Sequence, residues 1–523
     1  MRGGRVVAVS TVSALVLAVL HLILPATGSD LSAQVARAGF FADHGAALVD
    51  LRWYGGVHPW GYSLVSPPLM ALLGVRLTGA LALLASATAF AALLVRTRVP
   101  RPLLGSLVGV ATIAGNLVSG RVTYALGVAF GLAALLALTV PARRARPVAA
   151  VAAALLASAA SPVAGLFVGL AGAALLLTRR YADGLLLAVP AAVPLAVTGL
   201  LFGEGGWMNI STADTVHAVV TSLVVAALVA YRPARVGALL SAAGVLASAL
   251  LHTPVGLNAT RLVVMFALPV LAAAATLPAP LSDRLRVAGR RSRVIGAAGL
   301  AALLAVVCWW QPPVVTADLR SADDPTADPA YFAPLRAELG RRGLTGRVEV
   351  PPTRNYWEAA HMGDVPLARG WLRQADIDRN PLFFTTVPGA SGTGVPLTPI
   401  TYRDWLADNA VQYVAVPAAE LSWVGSSEAK LVEMGQPYLT EVWSDRHWKL
   451  YAVAEPTPLV GAPGELVRQD GASITFRAPA AGPIPIRVRH TRWLTATGGA
   501  TVTRDGTWTT VTVPREGTYT LTS

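Results

Sequence analysis

The polar stretch after the first apolar run carries three aspartates, Asp30, Asp43 and Asp50. A carboxylate at a membrane surface can serve as general base toward a hydroxyl, so each is a candidate catalytic base. Arg52 stands in the same stretch, and Arg121 and Arg261 fall in gaps on the same predicted side. A guanidinium fork matches a phosphate in shape and charge, which makes these three arginines candidate donor-phosphate ligands. His44, His58, Trp53, Tyr54 and Trp60 accompany the aspartates, and Tyr124 follows Arg121 closely. These six are the expected lining of a substrate cleft. Each residue alone has a plainer use, as a helix cap or a solvated surface group.

Other catalytic patterns are missing from the sequence. There is no Gly-rich phosphate loop, no nucleophile elbow and no zinc spacing. The single cysteine, Cys308, lies inside an apolar run, so no intrachain disulfide or cysteine metal cluster forms. His361, His447 and His490 are scattered. No metal site is expected and no cofactor is required.

The elements that must position the candidates are membrane helices. The chain has 523 residues, 54% hydrophobic and only 14% charged. That composition excludes a disordered chain and argues against an ordinary cytosolic enzyme. Apolar runs occur at roughly 6–25, 77–95, 103–118, 123–140, 148–160, 163–178, 185–202, 214–230, 236–251, 262–278 and 294–311. Counted as spans, they number about 11. The formal charge of +13 sits among these runs: residues 1–311 hold 22 arginines against 7 acids, whereas 312–523 are net acidic. Of those 22 arginines, 17 fall in alternate gaps and only Arg37, Arg52, Arg76, Arg121 and Arg261 in the others. The charge therefore sets topology and gives no support to a nucleic-acid partner. Positive residues stay cytoplasmic, which places the N-terminus inside and residues 312–523 outside the plasma membrane. Arg2 and Arg5 before the first run also fit a signal peptide, whose cleavage would leave the later topology unchanged.

The first outer loop, 26–68, is long for a disordered connection and rich in Gly, Pro and aromatics, so it reads as ordered and functional. Leu31, Val35, Ala38 and Phe41 or Ala42 recur at helical spacing, predicting an interfacial amphipathic helix. Two spans look broken on the outer side, at Asn116–Arg121 and at Ser161-Pro162, and broken spans usually line a cavity. No acid falls near the middle of any run, which argues against an ion-coupled transporter. All 13 tryptophans fall on the predicted outer side. They suit an interfacial belt and soluble cores, or a surface that handles sugar rings.

The expected fold is thus a polytopic α-helical membrane protein, N-in and C-out, with its membrane domain over 1–311. An extracytoplasmic α/β region follows over 312–455. Helices are predicted near 330–342, 401–409 and 427–434, with strands near 347–350, 411–416, 438–443 and 448–453. Residues 456–523 alternate in short runs at 472–477, 484–490, 500–504, 508–513 and 518–522, a small β-sandwich-like module with a hairpin turn at Asp505-Gly506.

This order of parts resembles GT-C glycosyltransferases, polytopic enzymes that take sugars from polyprenyl-phosphate donors on the outer membrane face. Asp30, immediately after the first span, matches the position such enzymes use for the base, with Asp43 and Asp50 as alternatives. The sequence lacks the adjacent acidic pair of protein mannosyltransferases; Asp30 stands alone after Ser29. Segments 50–63, 160–177 and 368–384, with TYRDWLADNAVQYVAV further on, also look like actinobacterial YfhO-like integral membrane proteins. The resemblance implies an inverting glycosyltransferase with a polyprenyl-phosphate sugar donor and an envelope glycan or lipid acceptor, embedded in membrane lipids. It implies no strict need for a divalent cation. Two other readings stay open: a flippase for lipid-linked precursors, and a non-catalytic envelope assembly protein.

Overall fold

The computed structural model of the chain describes residues 3–142, 144–276 and 290–523. Arg2, Arg143, Arg284 and Arg286, counted above among the gap arginines, lie outside the described residues, as do Asp283, one of the seven acids, and the side chains of Arg290, Arg291 and Arg293.

Every apolar run contains a helix among its described residues. These helices are α1 (Gly3–Ile23), α4 (Val75–Arg96), α5 (Pro102–Val118), α6 (Val122–Ala137), α7 (Ala145–Ala160), α8 (Pro162–Leu177), α9 (Tyr181–Phe202), α10 (Thr212–Leu228), α11 (Arg232–Leu250), α12 (Arg261–Ala274) and α13 (Arg290–Trp310). The first loop adds α2 (Leu31–His44) and α3 (Ser66–Leu73). Proline opens α5 and α8, where its missing N–H costs nothing. Five helical stretches are long and apolar enough to cross a membrane: Gly3–Ile23, Val75–Arg96, Tyr181–Phe202, Arg232–Leu250 and Gly256–Ala274. The other runs form apolar helices of 10–17 residues.

The helix ends gather into two sets. At one end, the first loop lies across the termini of several helices. Asp30 N–H donates to Ser119 O beyond α5 at 3.1 Å, and Ser63 Oγ donates to Ala160 O at the end of α7 at 2.7 Å. Glu204, just past α9, pairs with His58 at 3.1 Å. At the other end, Arg101 Nε donates to Ala272 O at 2.9 Å, and Asp183 pairs with Arg146 and Arg180. These are the two sets of gaps that charge alternation separates.

After α13 the chain turns to mixed structure. Short helix α14 (Thr316–Leu319) leads to α15 (Ala333–Arg342), α16 (Glu358–His361), α17 (Arg373–Arg379), α18 (Pro399–Asp408) and α19 (Trp423–Glu433). Strands β1 (Arg347–Glu349), β2 (Val411–Pro417), β3 (Leu439–Ser444) and β4 (Trp448–Val453) form a sheet in the order β1-β2-β4-β3. The β1–β2 pair is parallel and the others antiparallel. Each predicted helix and strand of this region has its counterpart here.

The last strands are β5 (Glu465–Gln469), β6 (Ser473–Ala478), β7 (Gly482–Arg489), β8 (Thr495–Ala496), β9 (Thr501–Asp505), β10 (Trp508–Val513) and β11 (Gly517–Thr522). They form two sheets, β5-β6-β11-β8 and β7-β10-β9. Strands β5 and β8 have no counterpart in the sequence reading: β5 shows only a half-exposed pattern and β8 has two residues. The core between these sheets takes in Val49 and Leu51 of the first loop. Leu51 N–H donates to Gly471 O at 2.8 Å, and Arg489 N–H to Gly55 O at 2.8 Å. The first loop is therefore wedged between the helices and both outer regions.

Candidate functional site

Asp30 occupies the N-cap position of α2, where an aspartate normally accepts a hydrogen bond from the first turn. Its side chain makes no such bond. It points instead at two arginines: Oδ2 accepts from Arg121 Nε at 3.2 Å and from Arg261 Nη2 at 3.3 Å. Among the described residues, neither guanidinium makes another hydrogen bond to protein, so most of their N–H groups remain available. The three side chains are 12%, 25% and 16% exposed, a partly open cluster with one more positive than negative charge.

Two close approaches build this arrangement. Arg121 follows the tight Ser119-Gly120 turn between α5 and α6. Gly120, at φ +74°, packs where a Cβ would stand 2.5 Å from the backbone nitrogen of Leu31. Gly28, at φ +105°, would bring a Cβ within 2.3 Å of Ser119 C. Only glycine fits both positions, and it lets the Asp30 backbone touch the turn that carries Arg121. The break between α5 and α6 thus positions a charged residue. The break at Ser161 instead docks the first loop through Ser63 and Ser66.

Tyr124 lies beneath Arg261, whose guanidinium carbon is 5.4 Å from the ring centre. The Tyr124 hydroxyl is buried and has no partner among the described residues. Asp30, Arg121, Arg261 and Tyr124 are therefore brought together.

The other candidates sit elsewhere. Asp50 and Arg52 answer each other: Arg52 Nε reaches Asp50 Oδ1 at 3.0 Å and Nη2 reaches Oδ2 at 2.8 Å. Arg52 Nη2 also donates to Ala36 O at 2.9 Å, so the guanidinium is committed to structure. This departs from the expectation that Arg52 holds a donor phosphate. The i,i+2 spacing gave no hint, because only the loop's turn back toward Val57 folds the two side chains together. Asp43 is exposed near the end of α2. His44 Nε2 pairs with Asp364 at 3.0 Å. His58 contacts Glu204 through Nδ1 and Thr491 through Nε2 at 3.0 Å. Tyr54 is buried with its hydroxyl donating to Gly370 O, and Trp60 Nε1 donates to Ala47 O at 3.1 Å. Trp53 is buried against Gly370, its Nε1 without a partner among the described residues. A groove of about 610 Å³, lined by Leu81, Ala85, Thr88 and Leu136, opens on the apolar helices, away from these groups.

Helix α2 presents a different face from the predicted one. Besides Leu31, Ala33, Ala36, Ala38 and Phe40, it buries Ser32, Gln34 and Arg37. Ser32 Oγ donates to Asn355 O at 2.6 Å, and Gln34 accepts from Thr123. The small residues let polar partners approach, so α2 packs on protein. Arg37 stacks on Tyr62, its guanidinium carbon 3.5 Å from the ring centre, with Trp371 at 5.2 Å. Burial pulls its pKa below the ordinary arginine value. Trp371 Nε1 donates to Ser29 O at 3.0 Å. The sequence held one signal for this group: Asp30, Gln34 and Arg37 recur at helical spacing. Tyr62 comes from the far end of the same loop, while Trp371 and Asn355 come from remote segments and left none.

A second charged cluster lies in the outer region. Arg369 contacts Asp376 at 3.0 Å, Glu428 at 2.8 Å and Glu349 at 3.6 Å, all of them almost fully buried. Burial and the neighbouring Glu428 push the Glu349 carboxyl well above the usual range, and burial raises Glu428 to about 7. Glu358 nearby is also raised to about 7, by burial. Among the described residues, no group of three or more His, Cys, Asp or Glu is arranged to hold a metal ion.

No family model matches the chain, and no curated protein matches it. Solved structures similar to it include two of one enzyme. One is the cryo-EM structure of the arabinofuranosyltransferase AftD from mycobacteria, with TM-score 0.46 and 17% identity over 91% of this chain and 41% of that one. The other is a mutant of the same enzyme, with TM-score 0.47 and 15% identity over 99% of this chain and 60% of that one. The chain thus spans 41% and 60% of the length of these structures.

Proposed function

We propose that this chain is a membrane glycosyltransferase. It transfers a sugar from a polyprenyl-phosphate donor to a hydroxyl of a cell-envelope glycan or lipid on the outer face of the plasma membrane. The observation that carries this reading is the geometry of Asp30: an N-cap acid that leaves its cap unmade and sits on two arginines that make no other hydrogen bond among the described residues. In this reading about 11 spans place the N-terminus in the cytoplasm. Residues 312–455 and 456–523 fold outside, over the first loop. The gathering of helix ends into two sets supports that arrangement.

The chemistry follows from the group. The donor phosphate takes over the free N–H groups of Arg121 and Arg261, which leaves the Asp30 carboxylate available to the acceptor. Asp30 removes the acceptor hydroxyl proton as the oxygen attacks the anomeric carbon. The bond between that carbon and the phosphate oxygen breaks, and its electron pair stays on the phosphate. The two guanidiniums stabilise that charge, and direct displacement inverts the anomeric centre. No step is assigned to a metal.

The test uses purified full-length protein with a panel of radiolabelled farnesyl-phosphoryl pentoses and hexoses and an envelope extract as acceptor. The reading expects stoichiometric release of farnesyl phosphate with label in the acceptor. Translocation of the intact donor across proteoliposomes, with no transfer for any sugar, would overturn it.

A further inference from the structure

Asp318 belongs to α14, at the head of the outer region, yet its carboxylate reaches back into the site. Oδ1 accepts from the Ser29 backbone N–H at 3.2 Å, and Oδ2 accepts from Ser119 Oγ at 2.6 Å. Ser29 precedes Asp30, and Ser119 opens the turn that carries Arg121. The Ser119 carbonyl in turn accepts from the Asp30 N–H at 3.1 Å. Ser321 adds a second tie: its Oγ accepts from Gly28 N–H at 3.2 Å and donates to the Asp318 carbonyl at 2.6 Å. Asp318 is only 6% exposed. Among the described residues it forms no ion pair. Burying an acid to hold two neutral donors is a costly way to fasten a turn. What it fastens is the backbone on either side of the Asp30–Arg121 contact.

We infer that Asp318 is a positioning residue: it ties the strand of chain bearing Asp30 to the turn bearing Arg121 and so sets how the pair receives a phosphate. This rests on the reading of that pair as a phosphate site. The outer region then completes the site, and the membrane helices alone do not form it.

The probe is farnesyl phosphate, titrated by calorimetry into the full-length protein in detergent, with thermal unfolding followed in parallel. Asp318→Ala is expected to weaken binding about tenfold, equivalent to about 1.4 kcal/mol. Asp318→Asn keeps an acceptor for Ser29 and can donate to Ser119, so affinity should return to within about threefold of wild type. Ser119→Ala should weaken binding by a smaller factor. Added to Asp318→Ala it should weaken binding no further, because both changes cut the same tie. Unchanged affinity in Asp318→Ala with only a lower melting temperature would overturn the inference, and so would additive losses in the double variant. If Asp318→Ala does not fold, Ser119→Ala and Asp318→Asn decide. Affinity lost in the first and kept in the second supports the tie, and any other pattern overturns it. Arg121→Gln and Arg261→Gln separate the two levels. If neither affects farnesyl phosphate, the phosphate reading itself fails. If both weaken binding and Asp318→Ala does not, only the positioning role falls.

Discussion

The first loop supplies the aspartate of two aspartate–arginine groups that differ in the structure: Asp50 meets Arg52 of the same loop, whereas Asp30 meets Arg121 and Arg261 from other elements. Asp50 and Arg52 meet through both carboxylate oxygens at 2.8–3.0 Å, with side chains 4% and 7% exposed. A backbone carbonyl takes part of what Arg52 has left. Asp30 offers a single oxygen to Arg121 and Arg261, at longer distance and with greater exposure, and most of the guanidinium N–H groups stay free. The first group is closed and locks the loop to α2. The second is open and carries excess positive charge, and among the described residues its guanidiniums make no hydrogen bond beyond those to Asp30. Matched charges with satisfied geometry fasten a fold, whereas unmatched ones cost stability and persist where a ligand completes them. The Arg369 cluster lies deeper still, but it is not matched: it holds excess acid, and among the described residues the Glu349 carboxylate has no hydrogen-bond partner.

Breaking the closed pair should have the largest effect, and on stability alone. Asp50→Asn leaves a buried guanidinium without its counter-charge, a loss of about 3–5 kcal/mol. It should appear as a lower denaturation midpoint with farnesyl phosphate affinity intact. Replacing both partners together, as Asp50→Leu with Arg52→Met, should restore much of that loss. Opening the other group acts on binding. Arg121→Gln with Arg261→Gln removes two charge-assisted contacts worth about 1.5 kcal/mol each. The donor KM should rise about 100-fold, while Arg52→Gln leaves that KM unchanged.

The smallest effect concerns pH. Burial raises Glu358 from 4.5 to about 7, so the folded state holds a proton that the unfolded state releases. The Glu358 contribution to stability is then present below 4.5 and is lost as pH rises through about 7. Thermal melts between these limits should show the outer region weakening with pH. Glu358→Gln should make that slope shallower, with the part due to Glu428 and Glu349 remaining, without changing sugar transfer.

The helices were legible because their apolar runs are long and bounded by arginine, glycine and proline. The sheet strands were legible through their alternation. Asp30, Arg121 and Arg261 were legible as residues of one side, since charge alternation sorts the gaps. Which aspartate meets which arginine was not, because that depends on the Gly28 and Gly120 approaches and on a turn in the loop. The buried polar face of α2 was masked by an apolar period on the same helix. Asp318 and Trp371 reach the site only through folding of distant segments, and no local pattern encodes such contacts.

The central claim is that Asp30 serves chemistry and Asp50 serves structure. The most direct measurement compares sugar transfer by Asp30→Asn and Asp50→Asn side by side, at equal amounts of folded protein. The account predicts turnover reduced at least about 100-fold in Asp30→Asn with its melting temperature preserved. It predicts near-normal turnover in Asp50→Asn with a lowered melting temperature. Full transfer by Asp30→Asn, or lost transfer in a well-folded Asp50→Asn, would contradict it.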